Sequence, residues 1–336
     1  MNRAQGESLL SCTQAFFQSY LRQTRGASVH TVRAYRDALK LFFLFLAEHA
    51  GRPIASLTLD DVRANAVLAF LEHIETRRGN SAITRNCRLA ALRSFVQYLL
   101  RNDVTRAGQY GAILAIRTKR ATRRTVTYLE PEEARALIAA IDVRARHGDR
   151  DRALLLFLYN TGARVAEALA LRPSALRLER PRQVRVLGKG SKERICPLWP
   201  ETAAALRRII RFDTSDEPLF RNGAGGPLSR DGVALLLQKY AGIAANQRPS
   251  LRKRHITPHV LRHSCACALL QAGVDITVIR DYLGHSSVAT TSRYVTTNLQ
   301  MKRDALEAFW KRAGLEPAGS RKWRPSPQLL TFLETL

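Results

Sequence analysis

Thr161-Gly162-Ala163-Arg164-Val165-Ala166-Glu167-Ala168-Leu169 reads as a sharp backbone turn that opens a helix. Gly162 permits the tight approach. Arg164 then falls near the helix start, where a cation gains nothing from the helix dipole, so it needs an anion or a local acid. Glu167, three residues on, shares its face and is the nearest candidate. Three further clusters lie downstream. Gly188-Lys189-Gly190-Ser191-Lys192 is a tight turn between Val184, Val186 and Ile195, Pro197, Leu198, the pattern of two short strands joined by a loop. It has a phosphate-loop flavour but lacks the full nucleotide-binding pattern. Pro258-His259-Val260-Leu261-Arg262-His263 opens a helix with proline in its first turn, and His259 and Arg262 share one face. His263 could pair with His259 on a metal, but no third ligand stands at suitable spacing, so a zinc site is not expected. Leu283-Gly284-His285-Ser286-Ser287 comes last, with Tyr294 nine residues after His285. Taken alone, a tyrosine at such a place is a packing residue with a satisfied hydroxyl.

Around these clusters the chain divides. Residues 10–110 read as a helical bundle. A first helix covers Thr13 to Thr24. A second starts near Ser28 with Val32, Tyr35, Leu39, Phe42, Phe43 and Leu46 at helical spacing, and stops at Gly51-Arg52-Pro53. A third runs from Leu59 to Arg78, and a fourth follows Ser81 with Cys87, Leu89, Leu92, Phe95, Val96, Leu99 and Leu100. Four helices with short connections make a compact bundle. Residues 111–126, centred on the basic run Arg117 to Thr125, read as a linker. Residues 127–313 read as a mostly helical second domain with a small antiparallel sheet. Helices are expected near 131–147, 149–160, 163–171, 201–212, 230–241, 259–272, 275–283 and 297–313. The tail, 314–336, carries Trp323, Leu329, Leu330, Phe332 and Leu333, which suits a last helix docking on a neighbouring subunit.

The charge sets the class of partner. The 336 residues hold 54 Lys plus Arg against 28 Asp plus Glu, a formal net charge of +26. A basic excess spread through both halves is most easily tolerated beside a polyanion. Phosphate contacts are expected from Arg33, Arg36, Lys40, Arg85, Arg88, Arg93, Lys119 and Arg120. No stretch approaches the roughly 20 apolar residues that span a bilayer, and the N-terminus has no secretion signal, so a cytoplasmic location without a membrane partner is expected. Five widely spaced cysteines, Cys12, Cys87, Cys196, Cys265 and Cys267, argue against a disulfide framework and read as small core residues.

In order and spacing, Arg164, Lys189, His259, Arg262, His285 and Tyr294 resemble the catalytic set of the tyrosine recombinase, or phage integrase, family. The signature is an arginine after a Thr-Gly pair, a hairpin lysine, His-x-x-Arg, Leu-Gly-His and a terminal tyrosine. Glu167 matches a frequent acidic companion of the first arginine, and the helical N-terminal unit resembles the family's core-binding domain. Xer-type recombinases and mobile-element integrases are the relatives suggested. Two departures are visible: the tyrosine lacks the Tyr-x-His context, and the tail exceeds a minimal Xer-like end. The resemblance implies a mainly α fold and attack by Tyr294 on double-stranded DNA. It also implies a 3′-phosphotyrosyl intermediate, a Holliday junction, and a homotetramer on two DNA sites without ATP or metal. A second recombinase or a DNA-bending protein could assist. Integration or transposition of a mobile element is the preferred role, and Xer-type dimer resolution the alternative. A topoisomerase I-like enzyme would use similar phosphotransfer without exchange between sites. A noncatalytic architectural protein explains charge and helices but not the six residues. An RNA-binding protein fits less well, since no aromatic platform for bases stands out.

Overall fold

The computed structural model describes residues 8–121, 126–188, 192–210, 217–252, 254–285 and 291. The chain forms two compact units, Met1–Arg123 and Arg124–Leu336.

The first unit is helical. α1 (Leu9–Ala15) runs into a π-helical stretch, Phe16–Thr24, whose wider winding shows in the Arg25 N–H to Tyr20 C=O bond of 2.9 Å. α2 (Val29–Ala50) begins where the Ser28 hydroxyl accepts the Thr31 N–H, and ends at Gly51 with φ +61°. α3 (Ala64–Thr76) is shorter than the single helix expected from Leu59. Asp61 folds back to accept the Thr58 N–H at 2.7 Å, which closes a separate 3-10 turn, Leu59–Asp61, and Val62 then leaves the helical region. α4 (Ala82–Asn102) is capped by Ser81. A further helix, α5 (Ala107–Leu114), escaped the sequence reading. Its Tyr110 and Ile113, and Ile116 beyond it, are buried in this unit's core, so the start of the expected 111–126 linker packs here. The core is aromatic: Phe42 meets Phe70 edge-on at 5.3 Å and Phe16 meets Phe95 at 5.2 Å. Burying each such ring contributes about 1.5–3 kcal/mol.

In the second unit α6 (Pro131–Ala139) ends well before the expected residue 147, the chain turning at Ala140. α7 (Gly148–Thr161) is buried on every side from Ala153 to Thr161, the mark of a central helix. Its one buried acid, Asp151, accepts from Tyr240 Oη at 2.7 Å and pairs with Arg150. α8 (Val165–Leu169) follows directly. The sheet has three strands rather than two: β1 (Leu176–Arg177), β2 (Gln183–Leu187) and β3 (Glu193–Pro197), all antiparallel in that order. α9 (Pro200–Ile209), α10 (Arg230–Ala244), α11 (Pro258–Gln271) and α12 (Ile276–Leu283) complete the described helices. Cys12, Cys196, Cys265 and Cys267 are buried as expected, but Cys87 is exposed, because α4 turns that position away from the core. Among the described residues no helix is long and apolar enough to cross a membrane. The expected helix at 297–313 and the tail, 314–336, lie outside the described residues.

Candidate active site

The site grows from the end of α7. Thr161 bonds back to the Phe157 carbonyl and Gly162 takes φ +58°, so the chain reverses within one residue. A methyl group on Gly162 would lie 2.3 Å from Leu283 Cδ2 and 3.3 Å from Cys265 Sγ. Glycine is therefore required twice, for the backbone angle and for the close approach of α11 and α12.

Arg164 stands at the N-cap of α8. Its main-chain N–H donates to Glu167 Oε2 at 2.9 Å, its Nη1 donates to Glu167 Oε1 at 2.7 Å, and its Nη2 reaches the Gly284 carbonyl at 3.4 Å. Glu167 thus does what the sequence asked of it. Its side chain is 6% exposed whereas that of Arg164 is 35% exposed, so the acid is buried and the guanidinium opens outward.

Arg262 on α11 is buried. Its guanidinium donates to the Gly162 carbonyl at 2.5 Å and to the Leu283 carbonyl at 2.6 Å. One planar group thereby joins the turn before Arg164 to the end of α12 and fixes its own plane. His285 follows the left-handed cap of α12 at Gly284, φ +64°. Its N–H donates to the Arg280 carbonyl at 2.9 Å and its Nδ1 lies 2.9 Å from Thr291 Oγ1. Burial, then the nearby charges of Arg262, Arg164, His263 and Arg194, push the imidazole down to about 4, so the ring is neutral at neutral pH. Arg164, Arg262 and His285 are therefore brought together around the Gly162 turn and the α12 terminus. His259 lies exposed in the first turn of α11, its ring centre 6.5 Å from that of His263. Lys189 and Tyr294 lie outside the described residues.

Arg194 was missed by the sequence reading. It faces Val186 across the β2–β3 ladder, on the inner face with Val184 and Cys196, and pairs with Glu167 Oε2 at 2.7 Å. The signal was available: in Arg194-Ile195-Cys196 the strand period puts the arginine on the same side as the buried cysteine. Burial pushes the Glu167 carboxyl up, but hydrogen bonds from Arg194 and the Arg164 N–H outweigh this and hold it below its ordinary value. Asn160, just before the turn, was missed as well. Its Oδ1 accepts the Trp199 N–H at 2.9 Å, its Nδ2 donates to the Pro197 carbonyl at 3.3 Å, and its own carbonyl accepts from Tyr282 Oη at 2.7 Å. α7, β3 and α12 meet on this one residue.

The eight basic residues expected to contact phosphate do not share one environment. Arg33, Arg36 and Lys40 lie exposed along α2, as do Lys119 and Arg120 after α5, and Arg36 pairs with Asp37. Arg85 is a correction: it is 9% exposed and turned against Glu75 of α3, which also pairs with Lys119. Arg93 is another, because its guanidinium donates to the Ile116 carbonyl inside the unit. Both arginines hold α4 to its neighbours. Arg88 is half-buried, and burial together with Arg78 lowers its proton affinity.

Two arginines and a histidine are thus gathered at a glycine turn in a mostly helical unit. Comparison with known proteins gives the class. The profile described as "Phage integrase family" matches residues 127–301, and that described as "Phage integrase, N-terminal SAM-like domain" matches residues 15–103. The chain belongs to the phage integrase family and is a tyrosine-type, site-specific DNA recombinase. It is 38% identical over 331 residues to the integrase/recombinase y4rC of Sinorhizobium fredii (strain NBRC 101917 / NGR234), covering 98% of each chain. It is 34% identical over 288 residues to the tyrosine recombinase XerC of Pelobacter propionicus (strain DSM 2379 / NBRC 103807 / OttBd1), covering 84% of this chain and 90% of that one. Among solved structures, the XerH site-specific recombinase bound to a palindromic difH substrate, in a post-cleavage complex, superposes with TM-score 0.65 at 22% identity, covering 89% of this chain and 85% of that one. The Tn1549 transposon integrase in complex with circular intermediate DNA gives TM-score 0.65 at 15% identity, over 89% and 99%. At these identities the two structures show a shared fold.

Proposed function

We propose that this recombinase cuts and rejoins double-stranded DNA through Tyr294. The phenol oxygen attacks phosphorus in line, a phosphotyrosyl bond forms at the 3′ side, and the bond to the 5′ oxygen breaks. The phenol proton passes to His259, and Lys189 returns a proton to the departing 5′ oxygen. A free tyrosine is a weak nucleophile at neutral pH, with a pKa near 10, so both transfers matter. Arg164 and Arg262 clamp the non-bridging oxygens, where paired donors suit a phosphate better than a point charge does. His285, neutral in the free protein, donates one hydrogen bond to the same group. A 5′ hydroxyl from a partner strand then attacks the phosphotyrosyl bond and releases the phenol, so bond energy is conserved and no nucleotide is consumed. Two such rounds pass through a Holliday junction, with four subunits on two sites.

The observation that carries this reading is the convergence of Arg164, Arg262 and His285 on the Gly162 turn and the α12 terminus. The DNA-bound state of the XerH and Tn1549 structures supports the choice of partner. Exposed Arg33, Arg36, Lys40, Lys119 and Arg120 are assigned to phosphate contacts. Integration or transposition of a mobile element is the role assigned, supported by the integrase/recombinase relative that matches 98% of both chains. Dimer resolution is the second reading, supported by the XerC relatives. Trapping on nicked duplexes tiled across the flanking DNA decides the chemistry. Tyr294→Phe should bind DNA but give no covalent adduct, and an adduct formed by that variant would refute the nucleophile. The mapped cut positions separate the two roles: cuts at element ends support the first, and cuts at a chromosomal dimer-resolution site the second.

A further inference from the structure

Arg194 has an environment that packing alone does not explain. An inward position on a strand calls for an apolar side chain, as its neighbours Val184, Val186 and Cys196 show. Instead a guanidinium is buried there, its side chain 9% exposed, with Nε lacking a hydrogen-bond partner. Such a group is costly to bury, and its burial is offset only where the charge is paired. The pairing is with Glu167, the same carboxylate that holds Arg164.

The contacts around that guanidinium reach three of the clusters read from the sequence. Glu167 belongs to the Arg164 segment. Gly188, at the base of the β2–β3 turn, comes so close that an added methyl would lie 3.6 Å from Arg194 Nη1 and 3.5 Å from Glu167 Oε1. Gly284, of the His285 segment, comes closer still: a methyl there would lie 3.3 Å from Nη1 and 3.4 Å from Cδ of Arg194. Gly188 and Lys192, which flank Lys189 in the sequence, are joined by the Gly188 N–H to Lys192 carbonyl bond of 2.8 Å. Lysine is a point charge on a long flexible stem, so where it acts depends on where its backbone is anchored.

We propose that Arg194 is a positioning residue for DNA cleavage, its guanidinium pinning the base of the β2–β3 hairpin to Glu167 of the Arg164 segment and to Gly284 of the His285 segment. The anchored hairpin delivers the proton donor to the departing 5′ oxygen. This rests on the reading that the hairpin lysine, Lys189, is that donor, and the test separates the two claims.

The test uses single-turnover cleavage of a duplex carrying the mapped cut position, made once with the normal 5′ bridging oxygen and once with sulfur in its place. A thiolate departs without a proton, since thiols ionise near pH 8.5. Arg194→Met keeps the stem's bulk and leaves Glu167 paired with Arg164. It should bind the duplex within about threefold of the wild type and cleave the oxygen substrate about 100-fold more slowly, the loss expected when a reacting group is misplaced by about 1 Å. On the sulfur substrate its rate should return to near that of the wild type. Arg194→Lys, which keeps the charge but not the fork, should fall between. An unchanged rate on oxygen overturns the proposal, and so does an equal loss on both substrates. If Arg194→Met does not fold, judged by its thermal transition, Arg194→Lys is read by the same criteria. Lys189→Ala tests the donor separately. If sulfur rescues Lys189→Ala but not Arg194→Met, the positioning role falls and the lysine reading stands. If sulfur rescues only Arg194→Met, the lysine reading falls and Arg194 positions another donor.

Discussion

The neutral state of His285 makes a quantitative prediction. Its ordinary value is 6.5, and burial with the neighbouring positive charges brings it to about 4 in the folded protein. As pH falls through 6.5 the unfolded chain takes up the proton first. Folding is therefore progressively disfavoured between pH 6.5 and 4, and the loss is complete only below the folded value. A tenfold change in proton affinity is worth about 1.4 kcal/mol, so a fully sheltered ring would lose about 3 kcal/mol over this window. His285 is only half-buried, and solvent screening reduces the expected loss to about 1.5 kcal/mol. The direct assay is an NMR titration of the histidine ring protons in DNA-free protein, the resonance being assigned by its absence in His285→Gln. A second assay compares denaturant unfolding of wild type and His285→Gln at pH 7 and pH 4.5, where most of the loss has developed and the variant should lose less stability by about 1 kcal/mol. A His285 midpoint above pH 6, or identical pH dependence in the two proteins, would refute the argument. It would also mean that the cluster presents His285 to a phosphate as a cation.

Two further outcomes follow from packing and charge. Gly162→Ala forces a residue with a side chain to φ +58° and drives a methyl into Leu283 Cδ2. Strain and overpacking together should cost about 3 kcal/mol in denaturant unfolding, and a loss under about 1 kcal/mol would show that the turn relaxes. Arg85→Ala should lower the melting temperature without changing the salt dependence of DNA binding, because its guanidinium faces Glu75, whereas Arg33→Ala should leave stability unchanged and reduce the log K against log salt slope by about one. The opposite pattern would reverse the assignment of the two residues.

Local chemistry made much of the molecule readable in advance. Ser28 and Ser81 are hydroxyl caps whose meaning does not depend on distant contacts, and α2 and α4 start where they say. Gly51 and Gly162 likewise mark reversals that only positive φ allows. Arg164 and Glu167 met because three residues of helix put them together. Reading failed where side chains looped back or reached across the chain. Asp61 splits the expected third helix by bonding to Thr58, a choice that periodicity does not encode. Arg85 and Arg93 fit a basic face by sequence, yet Glu75 and the Ile116 carbonyl draw them inward, and neither partner is a helical neighbour. Arg194 was visible in the strand alternation, but its importance lies in sharing Glu167 with Arg164, thirty positions upstream. α5 was overlooked because Gly108 and Gly111 weaken its intrinsic preference, and burial of Tyr110 and Ile113 decides the matter.

Asn160 carries a consequence for how such an enzyme diversifies. A single carboxamide and its carbonyl knit the central helix to the outgoing end of the sheet and to Tyr282. Three stretches far apart in the gene are thus held in a common register by one short side chain. Drift in any of them is checked by the other two, while the surfaces away from this knot can change freely. Substitutions on the outside of the protein can then leave the geometry around the Gly162 turn as it is.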